Sequence, residues 1–176
     1  MPRAFTAIDI PSRITQRLST VQEELEVGRP IKSEKMHITL EFFENLETSQ
    51  LNKLQKHLNQ IETKPFNVEV KNLGVFPSES YIRVIWAGIN SKHINELYRK
   101  ASRHELEADN DHEFRPHVTL ARVDDVRRGD KKRIHEKLRK YSGHSFGSFE
   151  AEKLKLYKSE LGPKTSNYSE LYTREL

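Results

Sequence analysis

Hydrophobic and polar residues alternate over residues 4–10, which predicts a β-strand with one buried face. After Pro11 the spacing changes. Ile14, Leu18, Val21 and Leu25 recur at three- and four-residue intervals, the period of a helix burying one stripe. Proline suits the first turn of such a helix, and Gly28 with Pro30 ends it. A strand follows over residues 36–43. Thr48 or Ser49 then caps a helix carrying Leu51, Leu54, Leu58 and Ile61. Residues 66–73 and 81–89 predict two paired strands joined through Gly74-Val75-Phe76-Pro77. Trp86, in the second of these, reads as a core residue. Ile94, Leu97, Ala101 and Leu106 mark a third helix, and residues 117–123 another strand. Ile134, Leu138 and Tyr141 mark a fourth helix. Residues 149–161 and 168–176 close the chain as two strands around a turn at Gly162-Pro163.

Strands that follow one another directly favour antiparallel pairing and an α+β layout. Two of the predicted strands carry matching words: His37-Ile38-Thr39-Leu40 and His117-Val118-Thr119-Leu120, 80 residues apart. Each follows a strand–helix unit and precedes a helix. This predicts two pseudo-symmetric lobes, each an antiparallel sheet flanked by helices, with the motif strands central. Nothing rich in Pro, Gly or Ser divides the lobes, so residues 1–176 are expected to form a single domain.

On a strand, residues two apart face the same side. His37 and Thr39 therefore share one face, and Ile38 and Leu40 the other; the second copy repeats this. Histidine titrates near pH 6.5, so one copy can act as base while the other acts as acid. The threonine hydroxyls can donate to the oxygens of a phosphate, where charge builds during displacement. A lone His-x-Thr carries little, because a strand histidine bonded to a neighbour is common. Two copies in matched contexts carry the argument.

Composition narrows the setting. The chain has no cysteine, which excludes disulfides and thiolate metal sites. It has no apolar run long enough to span a membrane as a helix. Met1-Pro2-Arg3-Ala4-Phe5 lacks the apolar stretch of a signal peptide, so a cytoplasmic location is expected. A net charge of +4 permits an anionic partner. Much of the excess lies in Arg127, Arg128, Lys131, Lys132, Arg133, Lys137, Arg139 and Lys140, readable as a solvated helix face or as a surface for nucleic-acid backbone. Asp111, His112 and His117 invite a metal reading, but no His-x₃-His pair or carboxylate cluster supports one. Gly162-Pro163-Lys164-Thr165-Ser166 lacks the spacing of a phosphate loop and reads as a hairpin turn, from which Lys164 or Tyr168 could border the site. Arg83 could face a cleft or solvent.

The surroundings of the two motifs carry a resemblance. Glu41-Phe42-Phe43 follows the first copy; Phe114-Arg115-Pro116 precedes the second and Ala121-Arg122 follows it. Arg3-Ala4-Phe5 and Ile8-Asp9-Ile10-Pro11 stand near the start. Gly74-Val75-Phe76-Pro77 leads to Arg83-Val84-Ile85-Trp86-Ala87-Gly88, and Ser159-Glu160-Leu161-Gly162-Pro163 leads to Tyr168. In this order the segments resemble the 2H phosphoesterase superfamily, and within it the RNA 2′,3′-cyclic phosphodiesterases, also called 2′-5′ RNA ligases.

The resemblance implies a bilobal α+β fold with a central cleft. It implies His37 as proton donor and His117 as proton acceptor, with Thr39, Thr119 and Arg122 at the phosphate and Phe42 stacking on a base. It implies hydrolysis of RNA 2′,3′-cyclic phosphate ends to 2′-phosphomonoesters, with 2′-5′ ligation as the reverse reaction. No metal and no cofactor is expected. The expected partner is RNA with cyclic phosphate ends, tRNA halves among them, and the expected state is a monomer. Phe43-Glu44 departs from the Leu-Gly or Ile-Gly frequent in relatives, which should alter the following loop. Two other readings stay open: an RNA-binding module without turnover, and a superfamily enzyme acting on a small cyclic phosphate or a 2′-5′ oligonucleotide.

Overall fold

The computed structural model describes residues 3–103, 113–162 and 166–176. The chain runs β1 (Arg3–Asp9), α1 (Ser12–Leu25), β2 (Arg29–Pro30), β3 (His37–Phe43), α2 (Thr48–Asn59), β4 (Phe66–Pro77), β5 (Ile82–Asn90), α3 (Ile94–Ala101), β6 (His117–Arg122), α4 (Arg128–Lys140), β7 (Ser145–Ala151), β8 (Lys153–Glu160) and β9 (Asn167–Glu175). A 3₁₀ turn at Ser33–Lys35 leads into β3.

The strands are ordered β7-β4-β5-β6-β3-β1-β8-β9, with β2 beside β6. All pairings among the described residues are antiparallel. The motif strands β6 and β3 meet at the middle, where one pair, Ile38 with Val118, joins them. Each half of the sheet is therefore an antiparallel ladder of four strands with its motif strand at the seam, β2 being added beside β6, the α+β arrangement that the strand order favours.

Both motif strands carry a β-bulge at the same place. Ala7 pairs with Thr39 and Thr6 with Glu41, which leaves Leu40 as the extra residue. Trp86 pairs with Thr119 and Ile85 with Ala121, which leaves Leu120 as the extra residue. An extra residue shifts the alternation by one. Leu40 and Glu41 are both buried, and so are Leu120 and Ala121. The Leu120 carbonyl accepts from the Ile31 N–H at 2.8 Å and from the Gln22 side-chain amide at 2.6 Å. Gln22 of α1 also donates to the Ile31 carbonyl, so the bulge is held from behind.

Two of the helices, α1 and α3, cover the sheet crosswise, while α2 packs against β9 and α4 against β4 in their own halves. Helix α1 follows β1 in sequence but packs against β6, β7 and α4; α3 follows β5 but packs against β3. Ile14, Leu18, Val21 and Leu25 form the buried stripe of α1, as their spacing predicts. Glu24 fastens α1 to α4. One of its carboxylate oxygens accepts from Lys137 at 2.7 Å, Lys140 at 2.6 Å and the Tyr141 hydroxyl at 3.1 Å. These bonds hold its pKa well below the usual 4.5, at about 2.

Several boundaries differ from the sequence expectation. Gly74-Val75-Phe76-Pro77 is not a connection but continues β4; the turn lies at 78–81, where Ser78 and Tyr81 exchange backbone hydrogen bonds. Residues 149–161 are not one strand. They divide at Glu152 into β7 on one half of the sheet and β8 on the other, a change of sheet half that apolar alternation does not register. Helix α2 begins one residue earlier than expected, where the Glu47 N–H donates to the Gln50 side chain at 2.7 Å. The two-residue strand β2 carries no periodicity to detect. Gly28 before it has φ 72, and a Cβ there would stand 2.5 Å from the Arg122 carbonyl oxygen. Leu106, read as part of the third helix, lies outside the described residues.

Because Glu24 titrates near 2 when folded and near 4.5 when free, its contribution is complete above pH 4.5 and lost as pH falls towards 2. Glu24→Gln should lower the melting temperature by roughly 2–4 °C at neutral pH. In a thermal scan series, the gap from wild type should narrow as pH falls below 4.5. A gap independent of pH would show that the carboxylate's charge does not link the helices.

Candidate active site

The antiparallel seam decides which motif residues face one another. Ile38 pairs with Val118. One step further along opposed strands, His37 comes opposite Thr119 and Thr39 opposite His117. All four line one cleft of about 120 Å³, together with Phe42 and Arg122. Strict alternation would send Phe42 and Arg122, each five residues after its histidine, to the far face. The bulges at Leu40 and Leu120 return them to the cleft. Thus all six residues singled out by the sequence come together.

Each imidazole is set by the backbone before it. His37 Nδ1 lies 2.7 Å from the Lys35 carbonyl oxygen, and His117 Nδ1 lies 2.6 Å from that of Arg115. A carbonyl only accepts, so both Nδ1 atoms carry hydrogen and both Nε2 atoms are left for the cleft. Both pKa values are lowered from 6.5. For His37 burial is the largest cause, opposed by the Lys35 carbonyl and the Asp9 carboxylate; the nearby His117 and Arg122 lower it further. For His117 burial again leads, opposed by the Arg115 carbonyl and reinforced by Arg122. Neutral imidazoles beside Arg122 suit an arriving anion, which would itself favour the protonated form.

Aromatic packing braces the first histidine. Phe5 stacks on His37 with ring centres 4.7 Å apart, and on Tyr157 at 5.3 Å. Tyr168 meets His37 edge-on at 5.6 Å. The Tyr157 hydroxyl donates to Asp9 at 2.8 Å; burial, with Asp9 beside it, pushes this phenol up to about 12. Lys155 also contacts Asp9 and Glu170, each at 2.8 Å. The second histidine is braced by Phe76 edge-on at 4.9 Å and by Trp86 at 6.1 Å.

Sequence reasoning passed over three lining residues, Phe5, Ile31 and Lys35. Phe5 is the cross-strand partner of Phe42; Lys35 stands two residues before His37, and its ammonium donates to the Ser166 carbonyl at 2.7 Å. Tyr168 does border the site, whereas Lys164, Asp111 and His112 lie outside the described residues. Among the described residues no three His, Asp or Glu side chains cluster as metal ligands would. Trp86 corrects the core reading: it pairs with Thr119 and is only half-buried on the cleft face. Arg83 is held at the hairpin by the Tyr81 hydroxyl and the Asp124 carbonyl. Glu44, at the departure from the usual motif, pairs with Arg3 at 3.1 Å, and the Arg3 guanidinium lies 5.0 Å over the Phe42 ring. The basic run on α4 is partly neutralised: Lys137 and Lys140 meet Glu24, Arg133 meets Glu26, and Lys132 meets Glu136. No helix among the described residues is long and apolar enough to cross a membrane.

The chain is 33% identical over 166 residues to the RNA 2′,3′-cyclic phosphodiesterase of Methanocaldococcus jannaschii, covering 92% of this chain and 93% of that one. It is 30% identical over 184 residues to the Aquifex aeolicus protein of the same name, covering 97% and 96%. The fold matches the crystal structure of TT0787 of Thermus thermophilus with a TM-score of 0.81 at 24% identity, over 99% of this chain and 97% of that one. It also matches E. coli LigT crystallised with 3′-AMP, with a TM-score of 0.80 at 21% identity over 100% and 99%. The family described as LigT like Phosphoesterase matches residues 8–86 and 89–168, two stretches of which each holds one His-x-Thr motif. With both halves of the sheet accounted for, the chain belongs to the LigT-like phosphoesterase family.

Proposed function

We propose that the cleft hydrolyses 2′,3′-cyclic phosphates at RNA ends, leaving a 2′-phosphomonoester, by acid–base catalysis between two histidines. The observation that carries this is the matched pair of imidazoles, each with Nδ1–H bonded to a carbonyl and Nε2 open to one cleft. The activity named for the curated relatives supports the substrate class.

His117 takes a proton from water as the oxygen attacks phosphorus. The bond from phosphorus to O3′ breaks, and His37 gives its proton to the departing O3′. Thr39 and Thr119 donate to the non-bridging oxygens, and Arg122 offsets their charge. Phe42, under Arg3, offers a face to the terminal base. The roles of acid and base follow the family resemblance, since the motifs themselves are nearly interchangeable. Both proton transfers and the charge stabilisation are supplied by side chains, so the reaction is assigned without a metal. A 5′-hydroxyl RNA end attacking in place of water would form a 2′-5′ linkage at the same site.

Three measurements test this reading. His37→Ala and His117→Ala should each lower kcat on a nucleoside 2′,3′-cyclic phosphate by roughly 10²–10⁴-fold with the melting temperature little changed; near-normal turnover in either variant refutes the assignment. Because both histidines titrate below 6.5, the bell-shaped profile of kcat/KM should peak on the acid side of 6.5. The residual activity of His117→Ala should lose the acid limb, where the base becomes protonated. That of His37→Ala should lose the alkaline limb, where the acid loses its proton. Loss of the opposite limbs would exchange the roles. Turnover should also persist after dialysis against EDTA, and strong inhibition would transfer the chemistry to a metal.

A further inference from the structure

The catalytic cleft is small. At about 120 Å³ it takes a phosphate and little of what is attached to it, whereas sites for organic ligands run to roughly 300–1,000 Å³. Beside it, on the same sheet face, lies an open groove of about 760 Å³. The two share the segment Arg115-Pro116-His117: the first two residues line the groove and the third lines the cleft.

The floor of this groove is Trp86. It pairs across strands with Thr119, and Gly88 pairs with His117, so the indole stands on the face that carries the second motif. Gly74 makes room for it: a Cβ there would stand 2.2 Å from two of the indole ring carbons, whereas one at Gly88 would meet the ring at an ordinary 3.4 Å and crowd the Lys71 carbonyl oxygen instead, at 2.7 Å. The ring therefore lies across bare backbone, where any side chain at Gly74 would lift it. Phe76 lies 5.0 Å and His117 6.1 Å from the ring, and the half-buried indole presents its remaining surface to the groove. It makes a platform.

The lining also has a charge. Lys71 and Arg115 supply cations, Asn72, Asn90 and Asn95 supply amides, and no carboxylate lines the groove among the described residues. Arg115 is exposed, and its ion pair is with exposed Glu113, at 3.4 Å. Cations beside a flat aromatic surface are the parts that hold single-stranded nucleic acid: the backbone meets the cations, and a base of any sequence stacks on the ring.

We propose that the Trp86 groove is a second nucleotide subsite. The base immediately 5′ of the cyclic-phosphate nucleotide stacks on the indole, and Lys71 and Arg115 meet the phosphate joining the two nucleotides. This rests on the reading of the cleft as a site for RNA 2′,3′-cyclic phosphate ends, and it selects an RNA strand over a mononucleotide as substrate. The two ends of the substrate then use different halves of the sheet: the terminal base lies towards Phe42, and the preceding one lies over Trp86.

Trp86 is the one tryptophan of the chain, so its emission reports this ring alone. The full-length protein would be titrated with an unlabelled diribonucleotide ending in a 2′-phosphate and, separately, with a nucleoside 2′-phosphate. Binding of a 5′-labelled dinucleotide would be followed independently by anisotropy. Both ligands place a phosphate beside His117, 6.1 Å from the indole, so the dinucleotide should quench Trp86 emission well beyond the level reached with the mononucleotide. Trp86→Leu should weaken dinucleotide binding roughly tenfold, and Trp86→Phe, which keeps a ring, should restore most of it. Equal quenching by both ligands would show that nothing beyond the terminal nucleotide reaches Trp86 and would overturn the assignment. A dinucleotide that binds without changing the emission, or that fails to bind, would overturn it as well, as would unchanged affinity in Trp86→Leu. Turnover of a cyclic mononucleotide reads the catalytic assignment separately, because binding of the product needs no chemistry.

Discussion

The cleft exists because Ile38 and Val118 pair across the seam between the two halves of the sheet. Both are fully buried, and each directly follows a histidine. Burying two branched side chains of this size supplies roughly 1.5–3 kcal/mol each, enough to hold a junction made through one residue pair. Pairing the residues after the histidines sets each histidine opposite the threonine of the other motif.

From that junction the rest of the site follows by small departures from regular strand geometry. One extra residue in each motif strand turns Phe42 and Arg122 back to the cleft. The carbonyls of Lys35 and Arg115, each just before a motif strand, fix both imidazole tautomers in the same way. The site is twofold in its backbone and unequal in its side chains. The first half surrounds His37 with Phe5, Tyr168 and, through Phe5, Tyr157, and brings the charge of Asp9 near it. The second sets His117 beside Arg122, Phe76 and Trp86. Near-identical motifs thus receive different electrostatic surroundings, which fits the opposite roles proposed for the two imidazoles.

The crosswise helices explain why the halves do not act as separate units. Helix α1 begins after β1 but supports β6 through Gln22, whose amide reaches the bulged Leu120 carbonyl. Helix α3 begins after β5 but packs behind β3. The chain crosses between halves again at Glu152, between β7 and β8. Each half of the sheet is therefore backed by elements belonging in sequence to the other, and one hydrophobic core runs through both.

Local physics makes much of this legible in the sequence. The doubled His-x-Thr in strand-like runs identified four cleft residues, because period-two alternation alone puts His37 beside Thr39 and His117 beside Thr119. The stripe of Ile14, Leu18, Val21 and Leu25 identified α1 for the same kind of reason. What sequence could not decide were relations between segments distant in the chain. Phe42 and Arg122 were assigned to the site by family resemblance, although simple alternation would have sent them to the other face; the bulges that reverse them are visible only in the register with β1 and β5. Trp86 reads as core in the sequence because an alternating apolar strand does not reveal which face its neighbours leave open. Gly74 becomes informative only once pairing places it under the ring. The sequence by itself determined which side chains could do the chemistry; the tertiary structure alone decided which of them share a face, because that depends on strand register, and register is set by partners far away in the chain.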